Sequence, residues 1–263
     1  DPQQPETAAS KRPNATPPGP ASDNKCARLS QDENNKVAAL FQTFKERLDV
    51  KQDRRERIVK LSRDITMESK RLIFTLHRVA GASDEERLAV LTEVSQRLDK
   101  LIASKLLPIS SELTGQDPWE YRRAYSPGLQ ELIEAMTFLE FLSTGRLLSL
   151  SGGVRDRLPS GLLVSQFDYL LGVCDLSGEL MRLALNAAAK ADFDTPERVL
   201  AFLQKLLGCC ETVPDRGPDW FPKDFAGKLE TMRQSVEKVE TVCYQQCLRC
   251  IEESNIQLPV VTH

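Results

Sequence analysis

The sequence predicts an all-α protein, and three observations carry that prediction. Apolar residues recur at spacings of three and four through most of the chain, Gly and Pro fall in the gaps between those runs, and no segment shows the period-two alternation of a half-buried strand. The expected arrangement is a single-domain antiparallel bundle of about seven helices over residues 33–255, with a disordered tail at 1–32 and a flexible tail at 256–263.

Residues 1 to 32 are rich in Pro, Ala, Ser, Asn and Gln and lack apolar periodicity, a composition that buries too little apolar surface to offset the entropy of ordering. The chain opens on Asp1 rather than Met, as a processed or partial chain would. From Glu33 to Ala80 no Pro or Gly intervenes. Val37, Leu40, Phe41, Phe44, Leu48, Ile58, Leu61, Ile65, Leu72, Phe74 and Leu76 keep helical spacing there, which predicts one long helix ended by Gly81. Ser83 and Glu86 form a capping box for a second helix that runs to Leu107, before Pro108. Asp117 ahead of Pro118 reads as an N-cap with proline in the first turn, opening a helix to about Leu148 that Pro127 kinks or restarts. Gly152, Gly153, Pro159 and Gly161 make Ser149 to Gln166 a surface connection. A helix over Phe167 to Leu185 follows, another starts at Thr195 and Pro196 and runs to about Leu207, and Pro218 or Pro222 precedes a final helix to about Glu253.

A length of 263 residues suits one large domain or two small ones, and 41% hydrophobic with 28% charged residues is ordinary for a globular chain. Net charge of -3 excludes a global attraction to nucleic acid, so any such binding needs a local basic stripe. No run of about 18 apolar residues exists to span a membrane, and the polar N-terminus lacks a signal-peptide core. A membrane partner is therefore not expected, and an intracellular protein is. The seven cysteines are odd in number and several sit in helical contexts, which points to free thiols. Cys243, Cys247 and Cys250 lack a fourth Cys or His at a distance that a structural zinc site would use.

The candidate chemistry is carboxylate-based. In FDYLLGVCDLSGELMRLAL, Asp175 and Glu179 are one turn apart in a segment apolar enough to be buried, on a stripe shared with Asp168, Gly172 and Asn186. In GLQELIEAMTFLEFL, Glu131 and Glu134 repeat the pattern at i and i+3. An unpaired ionised carboxylate in an apolar interior costs several kcal/mol, so four of them need compensation. Arg182, Arg122 or Arg123 could neutralise them, or the acids could jointly hold a hard divalent cation such as Mg²⁺ inside a helical bundle. Pattern alone leaves both open.

Lys60, Arg63, Lys70, Arg71, His77 and Arg78 recur at separations of 3, 4 and 7 within the first helix and could track a phosphate backbone. A solvated helix face with local partners such as Asp64 and Glu68 has the same appearance and is the commoner case. With His77 and terminal His263 the only histidines, and no Gly-rich phosphate loop or nucleophile elbow, a histidine- or serine-based mechanism is poorly supplied. Glu-x-x-His pairs of a di-iron bundle are absent.

Together KLSRDITMESKR, GLQELIEA, DYLLGVCDLSGELMR and DTPERV, in this order between about Lys36 and Tyr244, resemble the translin family. The resemblance implies a seven-helix subunit that assembles with translin into a barrel-like hetero-octamer holding RNA inside. It further implies a metal-dependent endoribonuclease whose catalytic and metal-binding carboxylates match Glu131, Glu134, Asp175 and Glu179. Translin itself lacks the complete acidic set, notably at the position of Asp175, so the presence of all four is similar to the catalytic paralogue. The family's basic nuclear-targeting segment has no counterpart here, and Ser149 to Gln166 is shorter than in vertebrate relatives.

The expectation that follows is Mg²⁺, with Mn²⁺ as a substitute, held by Glu131, Glu134, Asp175 and Glu179, with Glu179 the choice for proton acceptor if it makes no metal bond. The substrates implied by the family are single-stranded RNA, nicked small-RNA duplexes including the passenger strand in RNA silencing, and precursor transfer-RNA fragments, in the cytoplasm and nucleus. The rival is a non-catalytic subunit that binds nucleic acid and stabilises translin, with the acids in structural ion pairs.

Overall fold

The computed structural model describes residues 23–214 and 221–256, with side chains placed over 33–214 and 221–251. Among them are no strands, and seven α-helices of seven residues or more: α1 (Asp23–Leu76), α2 (Asp84–Leu101), α3 (Leu107–Leu113), α4 (Pro118–Thr144), α6 (Gln166–Ala188), α7 (Asp194–Glu211) and α8 (Phe225–Ile256), with the single turn α5 (Arg155–Arg157) between α4 and α6. The all-α expectation holds. No helix among these residues is long and apolar enough to cross a membrane.

Contacts divide the chain into two units, residues 1–52 and 53–263. The first unit contributes the beginning of α1, which starts at Asp23, inside the stretch expected to be a tail; residues 1–22 and 257–263 lie outside the described residues. One helix has nothing of its own to pack against. Val37, Leu40, Phe41, Phe44, Leu48 and Val50 accordingly stay 45–66% exposed within it.

The second unit contains the core. Leu132, Ile133, Met136 and Phe138 of α4 meet Leu176 and Leu180 of α6, Val199 and Leu203 of α7 and Val239 of α8 with essentially no exposed surface. Fully burying a side chain of this size contributes about 1.5–3 kcal/mol. A smaller cluster joins Cys174 and Leu171 of α6 to Cys210 of α7 and to Phe225, Leu229 and Met232 of α8. Cys174, Cys209, Cys210, Cys243, Cys247 and Cys250 are free thiols, and the side chain of Cys26 is outside the described set.

The helix ends follow the sequence signals closely. Ser83 and Glu86 form the capping box of α2. Asp117 caps α4 by accepting from the Trp119 amide at 3.0 Å, and Gly145 ends it in the left-handed conformation. α7 starts at Asp194, one residue earlier than expected, and Asp192 Oδ1 ahead of it accepts the amides of Asp194 and Thr195. Pro108 does not end the second helical run. A π-helical turn over Ile102–Leu106 carries it into α3, so that the proline sits in a first turn, where its missing N–H is tolerated.

Pro127 likewise leaves α4 continuous. Ser62 of α1 braces the helix on both sides of the proline. It donates its hydroxyl to the Tyr125 carbonyl at 3.4 Å and accepts the Gly128 amide at 3.2 Å. A Cβ at Gly128 would lie 2.5 Å from the Ser62 carbonyl oxygen, so α1 approaches α4 backbone to backbone. Gly172 does the same for α6, where a Cβ would lie 2.7 Å from the Gln130 carbonyl oxygen and 3.0 Å from Ile133. Gly172→Ala is therefore expected to cost about 2 kcal/mol and lower the melting temperature by roughly 4–8 °C. Gly178→Ala, on the same helix with open space around it, is expected to be neutral or stabilising, by up to about 1 kcal/mol. Thermal unfolding of the two variants checks this, and equal losses would remove the steric argument.

The expected surface connection, Ser149 to Gln166, is a correction. Val154, Leu158, Leu162 and Val164 are buried, and the Leu163 carbonyl accepts the Tyr125 hydroxyl at 3.2 Å. Gly and Pro signalled an irregular backbone there, and the apolar residues between them make it part of the core.

Candidate metal centre

The four carboxylates singled out in the sequence open onto one cleft of about 510 Å³, lined also by Lys70, Ile73, Phe74 and Arg182. Glu131 and Glu134 come from α4, Asp175 and Glu179 from α6. The close approach of Gly172, three residues before Asp175, to Gln130, one residue before Glu131, sets the two pairs face to face. The wall opposite is the end of α1.

Three of the acids already have a partner, each through one oxygen. Lys70 of α1 lies 3.2 Å from Glu131 Oε1, and Lys228 of α8 forms a close ion pair with Asp175 Oδ2. His77 Nε2 is 2.5 Å from Glu179 Oε2, which Arg182 Nη1 also approaches at 3.7 Å. The second oxygen of each acid has no protein partner among the described residues. The hydrogen bond from His77, against the effect of burial and with the charges of His77 and Arg182, holds the Glu179 carboxyl below its usual range.

Glu134 is different. It is 7% exposed and has no cation partner among the described residues. Burial first, then the charges of Asp175, Glu131 and Glu179, push its carboxyl up to about 8, with Lys228 pulling weakly the other way. The cleft is thus short of positive charge at one point, where a desolvated acid lines it without an ion-pair partner among the described residues.

No three Asp, Glu, His or Cys side chains among the described residues converge closely enough to enclose one ion. Lys70, Lys228 and His77 each engage one of the acids. In donor chemistry the set fits a hard cation such as Mg²⁺, with one free oxygen on three carboxylates and two on Glu134. Closure of these acids around an ion would require them to turn from the lysines.

Asp168 shares the stripe of Asp175 in sequence but belongs elsewhere. It is fully buried at the start of α6, where it closes a capping box with Ser165 and receives Arg122 in a two-pronged contact at 3.1 Å, with Ser126 and Gln130 completing its shell. Burial alone would raise its carboxyl, and the bonds from Arg122, Ser126 and Ser165 more than reverse that. Of the three arginines that could have neutralised the cleft, Arg122 is therefore committed to Asp168, and only Arg182 reaches one of the four acids.

The basic stripe of α1 does not act as one surface. At 100° per residue Arg71 and Arg78 lie about 100° around the helix from Lys70 and His77, and the structure separates them accordingly. Lys70 and His77 serve the acidic cleft. Arg71 is 3.2 Å from Glu68 and Arg78 is 3.8 Å from Glu93. Lys60 and Arg63 are exposed without an ion-pair partner among the described residues. Sequence reasoning missed Lys228, which is 53 positions from Asp175 and carries no local signal. It also placed His77 with the surface cations, although its side chain is 7% exposed and packs on Phe138 with ring centroids 5.1 Å apart.

The fold has relatives. The chain is 38% identical to Translin-associated protein X of Rattus norvegicus over 231 residues, covering 79% of this chain and 77% of that protein. It is 34% identical to the Translin-associated protein X homolog of Schizosaccharomyces pombe over 222 residues, covering 84% and 93%. Identity to Homo sapiens Translin is 22% over 221 residues, covering 81% and 93%. Among solved structures, the AfC3PO–duplex RNA complex superposes with a TM-score of 0.61 at 23% identity, covering 80% of this chain and 97% of that one. Apo-NeC3PO superposes with a TM-score of 0.55 at 18% identity, covering 88% and 100%. The Translin family profile matches residues 53–250, the second unit almost entire, and the chain belongs to the Translin family.

Proposed function

We propose that this chain is the catalytic subunit of a translin-containing endoribonuclease that cleaves RNA phosphodiesters with Mg²⁺, Mn²⁺ serving as a substitute. The observation that carries the reading is Glu134, a desolvated carboxyl pushed up to about 8 among three other acids, with no ion-pair partner of its own among the described residues. Similarity to Translin-associated protein X and to C3PO structures, one of them with duplex RNA, supports a nucleic-acid-binding subunit that associates with translin. Glu131, Glu134, Asp175 and Glu179 would hold the metal, which when bound supplies an activated water and charge stabilisation at the scissile phosphate. Lys70 and Lys228, once released from their acids, can meet phosphate oxygens, and Arg63 and Lys60 extend the positive face of α1 away from the cleft. Backbone contacts of this kind read little sequence, which suits single-stranded RNA, nicked duplexes such as passenger strands, and precursor transfer-RNA fragments. Partnership in a hetero-octamer with translin belongs to the same proposal.

A second reading has its own observation. Two of the four acids are paired with lysines and a third with His77, and no three donors converge among the described residues, as expected of a non-catalytic subunit that binds nucleic acid and stabilises translin. Cleavage of a labelled single-stranded RNA by the chain co-purified with translin separates the two. The expected result is cutting in Mg²⁺ that EDTA abolishes and that Glu131→Ala and Asp175→Asn each reduce by about 10²-fold or more with assembly intact. Absence of cutting by the wild type favours the scaffold reading.

A further inference from the structure

We infer that His77 is the positioning residue of the acidic cleft, fixing the Glu179 carboxylate so that a single oxygen faces the cation site. The inference rests on the proposed metal-dependent activity and adds to it a residue outside the acidic set.

The geometry is asymmetric at both ends of the contact. A carboxylate only accepts hydrogen bonds, so at 2.5 Å from Glu179 Oε2 the ring nitrogen Nε2 must carry the hydrogen. The other nitrogen, Nδ1, is buried and has no partner among the described residues. Its side of the ring therefore offers nothing to turn toward, and Phe138 packs against the ring at 5.1 Å. The imidazole has one hydrogen-bonding option and little room. Arg182, half exposed, approaches the same Oε2 at 3.7 Å and leaves Oε1 without a protein partner.

The contrast with the other acids is informative. Asp175 and Glu131 are held by lysines, which are flexible point charges that a divalent ion can displace. Glu179 is held by a packed ring on the short 3₁₀ turn, His77–Val79, that ends α1. Glu179 is thereby the fixed point of the site, and the lysine-held acids are its movable members. Histidine and carboxylate partners of this sort orient donors around metals, and their loss typically reduces affinity or activity by about 10–100-fold.

The test compares His77→Gln, which keeps a side-chain N–H donor, with His77→Phe, which keeps a packed ring against Phe138 and has no donor. Each is co-purified with translin. Three quantities are measured: the Kd for Mn²⁺ alone by electron paramagnetic resonance titration, kcat and KM on single-stranded RNA, and the melting temperature. A roughly 10–100-fold weaker Mn²⁺ Kd and lower kcat in His77→Phe, with KM within about twofold of wild type and most of the loss recovered in His77→Gln, supports the inference. Wild-type Kd and kcat in His77→Phe overturn it, because the ring then only fills space. Equal losses in both variants, tracking the fall in melting temperature, also overturn it. A wild-type complex that neither binds Mn²⁺ nor cleaves defeats the metal-dependent reading itself, and this inference with it.

Discussion

Glu134→Gln is expected to cut RNA cleavage sharply and, at the same time, to make the metal-free protein more stable at pH 8. Both effects come from one carboxyl. Glu134 is buried, faces three acids and ionises only near pH 8 in the folded chain. Unfolded, it titrates near 4.5, the ordinary value for glutamate. Between those values the folded state binds the extra proton, so this group's contribution is fully present below about pH 4.5 and is lost as pH rises through 8. The total amounts to a few kcal/mol, as an order of magnitude. Glutamine has nearly the same shape and no charge, and its amide can donate toward the neighbouring carboxylates.

The melting temperature of the metal-free wild type should therefore fall between pH 5 and pH 8 more steeply than that of Glu134→Gln. A divalent cation bound to the folded state alone stabilises it by mass action, so Mg²⁺ or Mn²⁺ at pH 8 should raise the wild-type melting temperature and leave that of Glu134→Gln nearly unchanged. Cleavage should drop by about 10²–10³-fold in the variant. Coincident pH profiles for the two proteins would show that Glu134 is not desolvated, and undiminished cleavage would place the chemistry outside this cleft.

Asp168→Ala is expected to give the largest loss of stability, about 3–5 kcal/mol and a fall in melting temperature of roughly 10 °C. The side chain is fully buried, so its removal leaves Arg122 without its carboxylate, Ser165 and Ser126 without an acceptor, and the first turn of α6 without half its capping box. The pH dependence has the opposite sign to that of Glu134. The folded state holds Asp168 below the ordinary aspartate range, so its stabilisation is present above that range and is lost as pH falls through it. Urea unfolding at pH 7 and at pH 3 should show the gap between wild type and variant closing at the lower pH. An undiminished gap at pH 3 would mean that the substitution acts through packing rather than charge.

The helices were legible because their signals are local. Ser83 with Glu86, Asp117 with Pro118, and apolar spacing along Leu88 to Leu101 each declare themselves within a few residues. The acids of the cleft were legible for a related reason, since Glu131, Glu134, Asp175 and Glu179 sit in runs too apolar to leave a helix face in solvent. Helical phase could not tell Asp168 from Asp175, because both lie on one stripe and only the neighbours differ: Arg122 and two serines at one end, Lys228 at the other. Nor could it reveal that His77 turns inward while Arg78, the next residue, turns out. These distinctions depend on α4, α6 and α8 meeting, which no window along the chain contains. The stretch 149–166 misled through its glycines and prolines, although Val154, Leu158, Leu162 and Val164 were there to be weighed.

Gly128 and Gly172 bring α1 and α6 against α4 within three residues of one another, main chain against main chain. The distance across the cleft is thus fixed by peptide groups, and the side chains that project into it contribute little to keeping the walls apart. Architecture and reactivity are in this sense written in separate residues. Acids can be exchanged for amides or imidazoles on the same walls with the helices still in register, whereas one methyl group at either glycine would disturb every distance in the cleft without touching a single carboxylate.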